Sequence, residues 1–299
     1  FKAAKNEVEV AGIRTCHVRD GAALVRFFHW LEKQVAAGAE ISEIGAADQL
    51  EQFRSEGEHF QGLSFPSISA FASHGALPHY RPLPDEEGHR VIDGSSLYLL
   101  DSGAQYLDGT TDVTRTVCFG EPTAEQVARF TEVLRGHVAL ARVTFPRRTD
   151  GKQLDVLARL PLWETGHDYG HGTGHGVGAY LNVHEGPQGI SPKSRDIALQ
   201  PGMVLSNEPG YYLEGDFGIR TENLVIVETR DDHGQDGNDF LGFETVTLAP
   251  IDRKLIDVDA LLPGERAWLD AYHADVRAKL SPLLNDEVRT WLEAATEPL

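Results

Sequence analysis

Two aspartates flank a predicted β-hairpin in the first half of this sequence. Asp101 and Asp112 lie in segments rich in strand-forming residues, and Asp108-Gly109 between them is a turn sequence. Directly opposed side chains of a hairpin stand about 5 Å apart at Cβ, where two carboxylates repel each other. The pair therefore needs a proton or a cation between them, unless the register turns them to opposite faces.

Histidines cluster in a segment in which every second residue is glycine, His171-Gly172-Thr173-Gly174-His175-Gly176-Val177-Gly178. The alternation disfavours a helix and predicts an extended segment with one bare backbone face, which another group can approach closely. The side chains at odd-numbered positions should then share the opposite face. The alternative is a glycine-rich loop whose histidines make ordinary hydrogen bonds. His184 follows shortly after this segment.

Two more carboxylates occur late in the chain, at Glu208 and Glu222. Glu208 ends an apolar run before Pro209-Gly210, and Glu222 lies in a strand pattern that is otherwise apolar from 218 to 226. Either one alone is consistent with a charge at a strand edge. Arg220 should share a face with Glu222, where it could pair with that carboxylate or bind the carboxylate of a substrate.

One donor set emerges from these positions: Asp101, Asp112, His175, Glu208 and Glu222. The charges of its four carboxylates would be cancelled by two divalent cations. Carboxylates with one imidazole favour ions such as Mn²⁺, Co²⁺ or Zn²⁺, and two such ions can share a bridging hydroxide. The set therefore predicts a hydrolytic site with two metal ions.

Periodicity predicts the elements that must position these residues. Apolar residues at helical spacing predict a helix over 24–35, bounded by Asp20-Gly21 before it and Gly38 after it. Further helices are predicted to begin at Ser42 and at a Thr123 cap, to span 153–160 up to Pro161, and to run from Leu255 to the end. Strands are predicted over 97–117 and, separated by Gly and Pro, over 166–228. The acidic stretch 230–239 is predicted to be an exposed turn.

Composition excludes several functional classes. Among 299 residues, 27 are Lys or Arg and 46 are Asp or Glu, so the net charge of −19 argues against binding to nucleic acid. No apolar run approaches the roughly 20 residues of a membrane span. Two cysteines, Cys16 and Cys118, are too few for a disulfide framework and fit a reducing, cytoplasmic location.

Five motifs together resemble the signatures of a known family. They are Asp101-Ser102-Gly103-Ala104 with Asp112, the 171–178 segment, Asn182-Val183-His184-Glu185-Gly186-Pro187, Asn207-Glu208-Pro209-Gly210-Tyr211-Tyr212, and Arg220-Thr221-Glu222-Asn223. Their types and order are similar to those of Xaa-Pro aminopeptidases in the pita-bread superfamily, and the similarity is greatest to the long, three-domain aminopeptidase P type. The resemblance extends over nearly the whole chain.

The resemblance implies an α+β fold with a curved, mainly antiparallel sheet, built from two pseudo-symmetric halves with flanking helices. Residues 1–251 would form the catalytic domain, and 252–299 a helical C-terminal extension of it. The long family form carries two further N-terminal domains that nothing in this chain matches. We therefore expect a piece of a longer protein, without any groove or dimer contacts that those domains supply.

The implied reaction is cleavage of the bond between an N-terminal residue and a following proline. By resemblance, Asp101 would bind one metal, His175 and Glu208 the other, and Asp112 and Glu222 both. Glu208 would also be the general base for a bridging hydroxide.

Three histidines match family residues that are not metal ligands. By resemblance, His79 and His184 would contact the substrate and stabilise the tetrahedral intermediate, and His171 would lie at the proline pocket. Arg220 matches a pocket arginine or one that supports the ligands.

The expected cofactor is two divalent ions, with Mn²⁺ first and Co²⁺ or Zn²⁺ as alternatives. The expected partners are peptides with proline in second position and a second copy of the chain. The homodimer rests on the family and on the apolar face of the helix that bears Trp268, Leu269 and Tyr272. Competing functions are a prolidase, which cuts only Xaa-Pro dipeptides, and a binding protein of this fold that holds no metal.

Overall fold

The computed structural model describes residues 2–81, 90–230 and 240–299. Its elements follow a repeated order, in which two helices precede a set of antiparallel strands, twice along the chain, before two final helices. The helices are α1 (Glu7–Ala36), α2 (Glu43–Ser55), α3 (Ala124–Ala141), α4 (Gly151–Trp163), α5 (Pro263–Leu280) and α6 (Asp286–Ala295). Within these described ranges, no helix is both long and apolar enough to cross a bilayer.

The strands of the first half are β1 (Phe60–Leu63), β2 (Ile68–Phe71), β3 (Leu97–Ser102), β4 (Ala104–Tyr106), β5 (Gly109–Thr110) and β6 (Val113–Cys118). Those of the second half are β7 (Phe145–Pro146), β8 (Gly174–His175), β9 (Gly189–Ile190), β10 (Val204–Asn207), β11 (Gly210–Leu213), β12 (Phe217–Arg220), β13 (Asn223–Arg230) and β14 (Phe240–Thr245). The main sheets are β2-β3-β6 and β10-β13-β14-β7.

The strand pairs of the named sheets are antiparallel, and the sheet as a whole curls into a half-barrel. Helices α1 and α2 pack on β2 and β3, while α3 and α4 pack on β10, β13 and β14. The expected α+β, pita-bread fold is thus confirmed. Residues 231–239 of the predicted exposed turn lie outside the described residues.

The first helix begins much earlier than the sequence pattern predicts. It starts at Glu7, with Asn6 as its N-cap, rather than at Asp20-Gly21. Asp20 is instead buried inside the helix, where it accepts hydrogen bonds of 2.9 and 3.1 Å from Arg54 of α2. Gly21 packs so closely on a neighbouring chain segment that a Cβ would lie 2.5 Å from a carbonyl oxygen. Both residues serve helix packing, so the predicted boundary is wrong.

Helix α4 contains the proline that was expected to end it. The helix continues through Pro161 to Trp163, and its N-terminus is capped by the side chain of Asp150. Because Pro161 lies in the last turn, the missing N–H removes only one hydrogen bond near the helix end. The predicted caps at Ser42 and Thr123 are confirmed.

The C-terminal helices belong to the main hydrophobic core. Leu269 and Tyr272 of α5 are buried in one cluster with Phe130 of α3 and Phe217 of β12. Trp268 stacks on Tyr272, with ring centroids 5.2 Å apart. The apolar face of α5 is therefore used within the chain, and it no longer supports the predicted dimer contact.

The Asp20–Arg54 pair gives a stability prediction. Replacing Asp20 by Ala leaves a guanidinium that is 0% exposed without its carboxylate, so we expect the free energy of unfolding to fall by about 3–5 kcal/mol. The control is Glu244→Ala, which removes the pair between Glu244 and Arg14, whose side chains are 27% and 52% exposed; this change should cost about 1 kcal/mol or less. Urea unfolding of both variants measures the difference, and equal losses would contradict the prediction.

Candidate metal centre

A cavity of about 430 Å³ opens on the concave side of the sheet. Every site residue predicted from the sequence lines it: Asp101, Asp112, His175, Glu208, Glu222, His79, His171, His184 and Arg220. The chain thus brings together side chains that lie up to 143 residues apart in the sequence (222 − 79 = 143).

The two aspartates come from the first half of the fold. Asp101 lies in β3 and pairs with Thr114 of β6, so Asp112 is displaced by two residues from the position opposite Asp101. Residues two apart in a strand point to the same face, so Asp112 and Thr114 lie on the side of the sheet that Asp101 faces. The predicted hairpin turn is present, because Tyr106 pairs with Gly109.

The other three donors come from the second half. His175 lies in β8 and Glu208 directly follows β10. Glu222 does not lie within a strand as predicted, because it occupies the two-residue connection between β12 and β13. There the chain passes from one sheet to the next, and the N–H of Glu222 donates to the carbonyl of Thr114 at 3.1 Å. This hydrogen bond joins the two halves of the fold at the centre.

The donor atoms converge closely enough to bind a cation. One ligand atom each from Asp112, His175 and Glu222 lie within 4.8 Å of one another. The Nε2 atom of His175 is 3.3 Å from a carboxylate oxygen of Asp112 and 3.4 Å from one of Glu208. The Oδ1 atom of Asp101 is buried and has no hydrogen-bond partner among the described residues. A buried acceptor left in this way is typical of a ligand that awaits a cation.

Electrostatics show the same shortage of positive charge. Burial raises the pKa of Asp112 and of Glu208, and burial together with the neighbouring carboxylates raises the pKa of Glu222 well above its usual range. Burial alone would lower the pKa of His175, but Asp112 and Glu208 raise it to about 9. These shifts fit a site made for divalent cations, and carboxylates with one imidazole are donors that hard or borderline ions accept.

Two hydroxyl groups that sequence reasoning missed hold three of the candidate ligands in place. Thr114 donates its hydroxyl hydrogen to Glu222 at 2.6 Å. Ser206 donates to Glu208 at 3.0 Å and accepts the N–H of His175 at 2.9 Å. Both could have been found from the period of two in strands, because each lies two residues from a metal-site carboxylate.

Arg220 balances one of the carboxylates. Its guanidinium pairs with Asp101 at 2.6 Å and donates to the hydroxyl of Tyr212 at 2.7 Å and to Thr114 at 3.1 Å. The pairing with Glu222 that strand spacing suggested is therefore wrong. Because Arg220 is only 3% exposed and already engaged, it supports Asp101 rather than presenting a free cation to the cavity.

The three other histidines that line the cavity differ in whether their ring nitrogens already have hydrogen-bond partners. Both ring nitrogens of His171 are engaged, at 2.8 Å from the carbonyl of Gly172 and 2.7 Å from the hydroxyl of Tyr212. Burial lowers the pKa of His171 to about 4, so its ring is neutral. His184 packs its ring against His175 with centroids 4.2 Å apart. Within the described ranges, neither His79 nor His184 makes a side-chain hydrogen bond, so both can offer an N–H to a ligand.

The predicted common face of the 171–177 segment is wrong in part. Thr173 turns away from the cavity and donates to Asp155 of α4 at 2.7 Å. Only Gly174–His175 forms a strand, and strict alternation requires a longer extended segment. The predicted close approach to the glycine face does occur at Gly174, where an added Cβ would lie 2.0 Å from the carbonyl oxygen of Ser206.

A buried arginine supports the centre from behind. Arg115 of β6 is 2% exposed and donates to the carbonyl of Glu222 at 2.7 Å. The same guanidinium donates to Asn223 and to the hydroxyl of Tyr272 on α5, each at 2.8 Å. The backbone around Glu222 is thereby tied to the C-terminal helices.

Comparisons with known proteins agree with this geometry. Residues 11–229 match the model of metallopeptidase family M24, and residues 239–299 match that of the C-terminal region of peptidase_M24. A curated relative from Tuber melanosporum, described as a probable Xaa-Pro aminopeptidase P, is 51% identical over 304 residues, which is 100% of this chain and 49% of the relative. The chain thus spans about half the length of the curated relatives it matches.

Solved structures show the same fold. X-prolyl aminopeptidase from Caenorhabditis elegans, described as a cytosolic enzyme with a di-nuclear active site, is 44% identical with a TM-score of 0.96, over 100% of this chain and 49% of that one. An Xaa-Pro dipeptidase from Bacillus anthracis is 28% identical with a TM-score of 0.68, over 84% of this chain and 63% of that one. The chain therefore belongs to metallopeptidase family M24.

Proposed function

We propose that this chain is the catalytic domain of a metal-dependent Xaa-Pro aminopeptidase. The observation that carries the proposal is the convergence of four carboxylates and one imidazole in one cavity, with three further histidines on its wall. Relatives described as aminopeptidase P and X-prolyl aminopeptidase, the latter with a di-nuclear active site, support it.

The proposed cofactor is a pair of divalent ions, with Mn²⁺ as the first candidate. Asp101 would bind one ion, His175 and Glu208 the other, and Asp112 and Glu222 both. Bound ions supply Lewis-acid catalysis, since they polarise the scissile carbonyl and lower the pKa of water. The unpartnered oxygen of Asp101 and the raised pKa values of the other carboxylates support this assignment.

Glu208 is the proposed general base. It lies at the cavity wall, and its carboxylate is 3.4 Å from Nε2 of His175, so it is close to the position where the attacking water would be held. Glu208 would take a proton from the attacking water and return it to the proline nitrogen. An amide nitrogen must gain a proton to leave as an amine, and the proton taken from water would meet that need.

The histidines would divide the work of substrate binding. His79 and His184 are the proposed donors to the developing oxyanion, because neither spends a ring N–H on another described residue. His171 is neutral and fully engaged, so its proposed role is to shape the wall of the proline pocket.

The main alternative is a prolidase. Such an enzyme must hold the free carboxylate of a dipeptide, and Arg220 is the cation that the sequence suggested for that task. Its guanidinium is already engaged by Asp101, Tyr212 and Thr114. Arg220 therefore gives no support to the prolidase alternative, and among the described residues Arg81 is the other guanidinium in the cavity lining. The homodimer stays a prediction from the family, and the cytoplasmic location stays a prediction from the cysteine content.

Metal binding should be coupled to proton release. The pKa of His175 is about 9, so at pH 7 the metal-free imidazole carries a proton that a metal ion must displace. We expect at least one proton to be released, so Mn²⁺ affinity should rise at least about tenfold per pH unit between pH 6 and 8. Titration calorimetry in buffers of different ionisation enthalpy measures this release. Affinity that does not change with pH would contradict the prediction, and absence of Mn²⁺ binding would favour the metal-free binding protein.

Substrate length separates aminopeptidase from prolidase. With Mn²⁺ present, the chain should hydrolyse Xaa-Pro-Yaa peptides at least tenfold faster than Xaa-Pro dipeptides at equal concentration, and a chelator should abolish both reactions. Matched peptides with alanine in place of proline control for proline selectivity. Hydrolysis of the dipeptide alone would identify a prolidase instead.

The proposed base can be tested by Glu208→Gln. The change is nearly isosteric but removes the basic oxygen and one ligand charge, so we expect turnover to fall by at least 10²-fold with the fold intact. Glu185→Gln, a change in the same segment as His184 but outside the cavity lining, is the control and should keep wild-type turnover. A Glu208→Gln protein that binds metal and retains more than about a tenth of turnover would exclude this base.

A further inference from the structure

Glu43, in the first turn of α2, is a buried carboxylate outside the metal centre. It is 0% exposed, and it is not among the residues that line the cavity. Its Oε1 atom accepts the N–H of Phe71 at 2.6 Å and lies 2.9 Å from Nδ1 of His74. Its Oε2 atom accepts the hydroxyl of Tyr80 at 2.8 Å and the N–H of Arg90 at 2.9 Å. Four donors thus converge on one carboxylate.

These donors all lie in one stretch of the sequence, 71–90. Phe71 ends β2, His74 lies in a short 3₁₀ helix, and Tyr80 and Arg90 lie on either side of residues 82–89. Both ends of the stretch are therefore fixed to α2. The N–H of Glu43 also donates to the carbonyl of Arg90 at 3.0 Å, which is a second hydrogen bond between these two residues.

The same stretch carries one wall of the substrate cavity. Pro78, His79 and Arg81 line the cavity, and Tyr80 between them is held by Glu43. The ring of Tyr80 stacks on that of His74, with centroids 4.4 Å apart. His79 makes no side-chain hydrogen bond to another described residue, so its place depends on this backbone.

We infer that Glu43 is a positioning residue, which fixes the cavity wall bearing His79 without touching substrate or metal. The inference rests on the proposed function, because the role of His79 in substrate binding is part of that proposal. A carboxylate at a helix N-terminus is well suited to this task, since the helix dipole and backbone N–H groups stabilise its charge. It accepts several hydrogen bonds at once, whereas a glutamine offers only one acceptor oxygen.

The test combines activity with a measurement that does not depend on activity. Glu43→Gln and the milder Tyr80→Phe are compared with wild type, each also in a His79→Ala background. Hydrogen exchange is followed over residues 72–81, and Mn²⁺ affinity is measured for each protein. The matched control is Glu265→Gln. Glu265 is a buried glutamate in the first turn of α5 that accepts the N–H of Leu262 and pairs with Arg135.

We expect Glu43→Gln to lower kcat/KM for Xaa-Pro peptides by about tenfold to a hundredfold, with Tyr80→Phe intermediate and Mn²⁺ affinity unchanged. In the His79→Ala background the further loss should be less than about threefold, because the wall no longer carries its donor. Exchange over 72–81 should be faster in both variants, whereas Glu265→Gln should change neither exchange there nor kcat/KM.

Two results would overturn the inference. One is unchanged exchange over 72–81 in Glu43→Gln, and the other is an equal loss of kcat/KM with and without His79. If wild type with Mn²⁺ fails to cleave Xaa-Pro peptides, the proposed function is wrong. The exchange rates alone then decide whether Glu43 fixes this wall.

Discussion

Repulsion among buried carboxylates is the constraint on which the centre of this molecule depends. Four acidic side chains share one cavity, and among the described residues the guanidinium of Arg220 pairs with one of them, Asp101. Hydroxyl groups of Thr114 and Ser206 each satisfy one further oxygen without adding charge. These contacts orient the carboxylates but leave them short of positive charge, and such a shortage favours a divalent cation over a neutral ligand.

The curled sheet brings the donor side chains from both halves of the chain into one cavity. The first half of the chain supplies the two aspartates and the second half supplies the imidazole and both glutamates. Each donor lies within one residue of a strand terminus. The bond from Glu222 to the carbonyl of Thr114 joins the halves where the charges meet. Neither half contains the donor set alone, so folding and site assembly are one event.

Much of the site could be predicted from the sequence because its chemistry is concentrated in a few residue types. Glycine, acidic residues and histidine stand out against apolar strands, and the five predicted donors line one cavity. Packing was harder to predict. Asp20 and Gly21 look like a helix boundary, yet they serve contacts with distant segments that no local pattern reveals. The partner of Arg220 was missed for the same reason, because the contact between Arg220 of β12 and Asp101 of β3 forms only in the folded chain.

The bond network of Arg115 connects regions that two separate family models describe. Its guanidinium binds the backbone of Glu222 on one side and the hydroxyl of Tyr272 on the other, in an interior that excludes water. A buried guanidinium needs all of its hydrogen-bond partners, because the loss of one leaves an unsatisfied donor that lowers the stability of the fold. The boundary between the two models is therefore a division of sequence only. Helix α5 and the connection between β12 and β13 that contains Glu222 should therefore unfold and refold as one cooperative unit. Strain or cleavage near the C-terminus would then also disturb the candidate metal centre.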